Sequence, residues 1–322
     1  MNEASSKFVD NIAVEKLLNE KLNKVSHSLE ESHFTGEYIS FEDLSNQSIK
    51  ISNISYTRDE AYHFYKIPSF ETNPYYLENN NIYLYRHLSN KPICNILFLH
   101  GLYDDNLSNY DYLFRLLNNL GFNVYLMVLP YHFKRKPVDS IFSGEFFLSA
   151  DIYRTKNAYK QAIYDIEASL QVIDYINSLP TILIGFSMGG SITLRYYSLR
   201  NQLLSALFLI NPVTNLLKVV WDNSLLVPIS NDIKKSGFDA TITQVVLQEL
   251  DPCLNLPSDF KNEAIALAYS RYDQIIEEKK YQLFIERAGL ENVFSYYAGH
   301  LNILRVPKLS KNIFDFFLQS NN

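Results

Sequence analysis

The sequence predicts an α/β architecture, a mostly parallel sheet with helices on both faces, and three observations carry that expectation. From Ile93 onward short apolar runs alternate with helical spacings, the pattern of strands covered on both sides by crossover helices. One of those runs, Thr181–Phe186, passes directly into Gly185-Phe186-Ser187-Met188-Gly189 and then into helix-forming residues. A buried strand, a tight turn holding a serine and a helix are the setting of a nucleophile elbow. Finally, the chain has 322 residues, 47% of them hydrophobic and 20% charged, enough for one sizeable core. Length alone would suggest two domains, but α/β enzymes of this size are often one domain carrying an insertion.

Taken in order, residues 1–35 are polar with apolar residues at Phe8, Ile12, Leu17, Leu18, Leu22 and Val25. That spacing predicts an amphipathic helical extension, docked on the body or serving as an oligomer contact. The body, 36–322, opens with strand-like pieces at Ile49–Tyr56, Tyr62–Ile67 and Ile82–His87, separated by Asn- and Pro-containing turns, and these read as antiparallel strands. Ile93–Leu99 is a buried strand ending at His100-Gly101. Asn109–Leu120 is a helix stopped by Gly121, Phe122–Leu129 a strand, and Ala158–Ser178 a long helix feeding the Thr181 strand. Strands at Ser205–Ile210, Ala264–Tyr269 and Asn292–Tyr297, with helices at Ile275–Ala288 and Ser310–Leu318, continue the alternation. In such a sheet the working groups gather at the carboxyl ends of the strands.

Two segments exceed ordinary connections, about 131–157 and about 213–263, and loops of that length usually form lids or binding insertions. The second holds Trp221, Leu225, Leu226, Val227, Val245, Val246 and Leu247, enough for short helices with an apolar underside, and is expected to cap the serine.

Composition excludes several classes. A net charge of −6 and no basic run longer than Lys134-Arg135-Lys136 argue against nucleic acid as a partner. Two cysteines, Cys94 and Cys253, cannot make a disulfide framework, and no CxxC or HExxH spacing suggests a metal. The N-terminus carries charge where a signal peptide needs its apolar core, and no run approaches the ~18 apolar residues of a membrane span. A soluble cytoplasmic protein is therefore expected.

A serine hydroxyl needs a base to become a nucleophile at neutral pH. Seven histidines are present, His27, His33, His63, His87, His100, His132 and His300, and only His300 lies beyond the elbow. Gly299 would let its loop turn sharply. The imidazole in turn needs a carboxylate, and Asp273, just past the Ala264–Tyr269 strand, is placed for it. The alternative position, after Ser205–Ile210, reads Asn211-Pro212-Val213-Thr214-Asn215 and offers no carboxylate. Two N–H donors should face the developing oxyanion, and the backbones of Met188 and Leu102 are the candidates. His100 is read as holding that loop by hydrogen bonds rather than as a base, and His100, Gly101 and Phe186 as bordering the pocket. Tyr131, His132 and Arg135 are expected to begin a loop at the pocket edge. Arg135 and Arg154 otherwise read as solvated charges.

With His-Gly after the third strand, Gly-x-Ser-x-Gly after the fifth, Asp after the seventh and Gly-His after the eighth, residues 80–320 resemble the α/β-hydrolase superfamily. Leu129-Pro130-Tyr131-His132 and Ser143-Gly144-Glu145-Phe146-Phe147-Leu148-Ser149 are further similar to a poorly characterised prokaryotic group within it. The resemblance implies an eight-stranded type of sheet and hydrolysis of an acyl ester, thioester or amide through an acyl-enzyme, with no cofactor and a small-molecule acyl substrate. A carboxylesterase-like activity is the leading expectation. A peptidase, amidase or acyltransferase would share the triad, and a low-turnover ligand receptor would share the fold.

Overall fold

The computed structural model describes residues 2–25, 32–59, 61–200, 204–257 and 263–320; His27 falls outside them. After helix α1 (Glu3–Leu17) come β1 (Ser55–Arg58), β2 (His63–Pro68), β3 (Asn81–His87), β4 (Cys94–Leu99), α2 (Asp111–Asn119), β5 (Phe122–Met127), α3 (Ile152–Ile176), β6 (Thr181–Phe186), α4 (Met188–Arg200) and β7 (Ala206–Ile210). Then follow α5 (Leu216–Asp222), α6 (Val227–Lys235), α7 (Ala240–Leu247), β8 (Ile265–Ser270), α8 (Glu278–Ala288), β9 (Asn292–Tyr296) and α9 (Pro307–Ser320).

The strands form one sheet in the order β1-β2-β3-β5-β4-β6-β7-β8-β9. β1, β2, β3 and β5 pair antiparallel, and every pairing from β5 to β9 is parallel. Among the described residues the sheet has nine strands, one for each strand-like run of the sequence, and is of the mostly parallel type expected, with the solvent-exposed strand β1 at one edge. The expected strand from Ile49 starts only at Ser55, because Ile51–Asn53 makes a 3₁₀ turn instead.

Helices cover both faces because successive side chains of a strand point opposite ways. Leu183 of β6 and Leu207 and Leu209 of β7 join the core shared with α3 to α8. Ile182, Ile184 and Phe186, with Phe208 and Ile210, join the core under α2 and α9. No helix of the described residues is long and apolar enough to cross a membrane.

Segment 131–157 departs from its expected role. Helix α3 begins at Ile152, six residues early, because the Asp151 side chain accepts the Arg154 N–H at 2.9 Å and caps it. What remains of the insertion is packed into the core through Tyr131, Phe142, Phe147 and Leu148 and does not line the cavity at Ser187. Arg135 is fully buried, not solvated. Its guanidinium donates to Val128 O and Asp165 Oδ2 at 2.9 and 2.7 Å and to Asn79 O at 2.9 Å. Arg154 donates to Ser149 Oγ at 2.9 Å and stacks 4.0 Å over Phe146. Removing one member of a buried pair strands its partner's charge. Arg135→Ala is therefore expected to lower unfolding free energy by about 3–5 kcal/mol, read as an earlier urea midpoint; a midpoint equal to wild type would refute this.

The described residues of segment 213–263 hold α5, α6, α7 and two 3₁₀ turns. Leu225, Leu226, Val246 and Leu247 are buried as expected, whereas Val227 and Val245 face solvent, 47% and 60% exposed.

Candidate active site

Ser187 closes the turn between β6 and α4 with φ at +54°, a left-handed conformation that non-glycine residues rarely adopt. The turn is that tight because strand and helix touch: a methyl group added at Gly189 would come within 2.5 Å of the His100 carbonyl oxygen. The strained backbone is held by hydrogen bonds, Ser187 N–H donating to Ile210 O at 2.9 Å and Ser187 O accepting Val213 N–H at 3.0 Å.

Three side chains far apart in sequence meet here. His300 Nε2 is 3.0 Å from Ser187 Oγ, and His300 Nδ1 is 2.7 Å from Asp273 Oδ2. His300 and Asp273 are both buried. The carboxylate is fully employed: Oδ2 also accepts the Tyr281 hydroxyl at 2.9 Å, while Oδ1 accepts the N–H groups of Ile275 and Ile276, each at 2.8 Å. Those last two bonds explain why α8 starts at Glu278 and not at the expected Ile275. The N–H groups that would have opened the helix turn back to Asp273.

Burial by itself would lower the His300 pKa; the charge and hydrogen bond of Asp273, helped by Asp10 and Asp104, outweigh it and hold the imidazole above its ordinary value. Phe186 lies against the ring, centroids 5.2 Å apart.

The loop after β4 is fixed from both ends. Gly101 N–H donates to Asp104 Oδ2 at 3.0 Å and to the Tyr110 hydroxyl at 3.1 Å, and Tyr103 N–H donates to His132 Nε2 at 3.2 Å. Leu102 between them keeps its N–H clear of partners among the described residues and lies on the cavity wall with Met188. Met188 opens α4, whose first N–H groups have no partner within the helix and sit at its positive end.

His100 and His132 do not reach the cavity, and neither does Tyr131. All three are fully buried behind its wall. Each histidine accepts a backbone N–H at Nε2, from Leu129 at 3.1 Å and from Tyr103, so each carries its proton on Nδ1 and donates it to a carbonyl, Gly101 O and Pro130 O, both at 2.8 Å. Burial drives the His100 pKa down to about 4 and that of His132 well below its ordinary value. They are neutral splints of the loop. Gly101 and Phe186 line the cavity.

The cavity above Ser187 measures about 390 Å³. Its wall is largely apolar, built from Leu102, Met188, Val213, Val219, Leu225, Leu226 and Ile276, and α1 closes one side with Ala13, Val14 and Leu17. Lys21, just past α1, reaches the same loop and pairs with Asp105 at 2.7 Å. Among the described residues no cluster of His, Cys, Asp and Glu could hold a metal ion. Cys94 and Cys253 are buried and free, and burial raises both thiols to about 12, so neither offers a thiolate.

Three residues of the site escaped sequence reasoning. Asn211, passed over for lacking a carboxylate, donates to Ser270 Oγ and His300 O, both at 3.0 Å, and accepts Ser270 N–H at 2.8 Å, tying the ends of β7 and β8 to the histidine loop. Tyr281 orients Asp273 from α8. Asp10, on α1, is buried against the His300 loop. Gly299 serves that contact: its φ is not in the left-handed region, and a methyl group there would lie 2.6 Å from Asp10 Oδ2.

A family model described as the alpha/beta hydrolase fold matches residues 95–227. Among solved structures the chain is similar to a monoacylglycerol lipase from Paleococcus ferrophilus, with 17% identity, a TM-score of 0.50 and coverage of 74% of this chain and 99% of that one. It is also similar to Est1E from Butyrivibrio proteoclasticus with ferulic acid bound, with 13% identity, a TM-score of 0.53 and coverage of 83% and 98%. An acylaminoacyl peptidase from Pyrococcus horikoshii gives 12% identity and a TM-score of 0.55, covering 84% of this chain and 42% of that one. No curated protein matches the chain. At such identities the likeness establishes the fold.

Proposed function

The chain has the alpha/beta hydrolase fold, and on that footing we propose that it is a serine hydrolase cleaving an acyl ester through Ser187, His300 and Asp273. One observation carries the reading: an unbroken hydrogen-bonded run from Asp273 through His300 to Ser187 Oγ ends at the floor of a largely apolar cavity.

His300 Nδ1–H, held by Asp273, leaves Nε2 free to accept the Ser187 proton as Oγ attacks the acyl carbonyl. The Leu102 and Met188 N–H groups stabilise the oxyanion that results. As the ester C–O bond breaks, the imidazolium gives its proton to the departing alkoxide, which leaves as an alcohol while the acyl group stays on Ser187 Oγ as the acyl-enzyme. Water, deprotonated by His300, then attacks the acyl carbon, and as the bond from that carbon to Ser187 Oγ breaks His300 returns the proton to Oγ and the acid is released. The segment 213–263 acts as the cap, and its Val219, Leu225 and Leu226 give the cavity a wall suited to an uncharged acyl chain.

The test is a panel of p-nitrophenyl esters of increasing chain length, assayed across pH. Each methylene that leaves water contributes about 0.8 kcal/mol, so kcat/KM should climb by up to roughly fourfold per methylene until the cavity is filled. His300 must be neutral to act as base and its pKa is held above the ordinary value near 6.5. The acid limb of the profile should therefore lie above that value, with activity falling as pH falls through it. Folded protein with no turnover on any ester would overturn the reading.

A further inference from the structure

The first half of helix α1 buries polar residues and exposes apolar ones, while Val14 and Leu17 further on pack against the core. Phe8 and Ile12 are 63% and 47% exposed, while Ser6 and Asp10 are fully buried. A carboxylate removed from water is costly unless it is hydrogen-bonded, so the partners of Asp10 reveal its use. Its oxygens accept three backbone N–H groups, from His300 at 2.6 Å and from Leu301 and Gln274 at 3.2 Å each. Two of these donors flank the imidazole and the third follows Asp273 by one residue. The missing side chain of Gly299 supplies the space, since a methyl there would stand 2.8 Å from Asp10 Cγ.

We propose that Asp10 is a positioning residue of the hydrolytic site, clamping the His300 loop to the Asp273 loop and adding a second negative charge behind the imidazole. This rests on the serine-hydrolase reading for its catalytic consequence but not for its electrostatic one. The clamp acts on backbone, so it sets where His300 stands relative to Ser187, while Asp273 sets which way the ring faces. The groups facing the His300–Asp10 pair are Asp273 on the neighbouring loop, Tyr281 on α8 and Asp104 on the loop after β4. Burial raises the Asp10 pKa against the lowering effect of its N–H partners and of His300. Removing its charge withdraws one of the influences that hold the imidazole's pKa up.

The experiment compares full-length wild type, Asp10→Asn and Gly299→Ala. Asparagine keeps the size but loses the charge and turns an amine toward N–H donors; alanine keeps the charge but crowds the carboxylate off its donors. The His300 imidazole is titrated by NMR, its signal assigned against His300→Asn. Steady-state kinetics on the best p-nitrophenyl ester run in parallel, with thermal melts giving the folded fraction. In Asp10→Asn the His300 pKa falls, the acid limb moves to lower pH, and kcat drops roughly ten- to a hundredfold with KM little changed. Gly299→Ala reproduces the kcat loss. An unmoved His300 pKa in folded Asp10→Asn, activity lost only in proportion to the unfolded fraction, or failure of both variants to fold would each overturn the proposal. A lowered His300 pKa in Asp10→Asn beside a wild type inert on every ester would support the clamp and sink the ester reading instead.

Discussion

Ser187→Ala is expected to lower kcat by roughly 10⁶-fold, the scale on which losing a triad nucleophile is felt, and to abolish labelling by a fluorophosphonate probe. Alanine inherits the same left-handed backbone at φ +54°, and the hydroxyl's partner within the protein is the His300 ring. The fold should therefore survive, with a melting temperature close to wild type. That separation of activity from stability is what assigns the serine a chemical task. Turnover within tenfold of wild type would remove Ser187 from the mechanism.

Asp273→Asn should cost about 10⁴-fold in kcat, for a reason visible in its hydrogen bonds. Four donors converge on this carboxylate: His300 Nδ1–H and the Tyr281 hydroxyl on Oδ2, and the N–H groups of Ile275 and Ile276 on Oδ1. An amide has a single acceptor oxygen. Kept toward the two backbone donors, it presents its amine to His300 and forces the proton onto Nε2, where the ring can no longer accept from Ser187. Turned the other way, it leaves two buried N–H groups facing an amine, at a cost of about 1–3 kcal/mol each. Either arrangement slows probe labelling of Ser187 in step with turnover. A variant retaining more than a tenth of wild-type kcat would show that another group orients His300.

How legible the molecule was depended on whether the signal was local. The elbow could be read because strand, turn and helix are consecutive, from Thr181 to Arg200, and their glycines are demanded by contacts within and beside that unit. Asp273 and His300 followed from strand counting, since each stands in the connection after a parallel strand, β8 and β9. Asp10 carries no such mark. Its partners are backbone N–H groups, which every residue offers, so no residue type elsewhere in the chain betrays the contact. The stripe that docks, Ser6, Asp10, Val14, Leu18 and Leu22, has helical spacing, but its first two members are polar and apolar periodicity passes over them. Arg135 misled for a related reason: a basic residue between two lysines looks like surface, and only the fold brings Asp165 to it at 2.7 Å. The beginnings of α3 and α8 were displaced by single carboxylates, Asp151 and Asp273, whose bonds to nearby N–H groups decide where helical geometry starts.

The contact between Asp10 and His300 joins positions 290 apart. During synthesis α1 must wait, its docking surface not yet made, until the stretch around His300 has emerged. Bringing such distant partners together is the slow part of building a fold, so acquisition of activity should be among the last events in refolding, trailing the appearance of bulk helical signal.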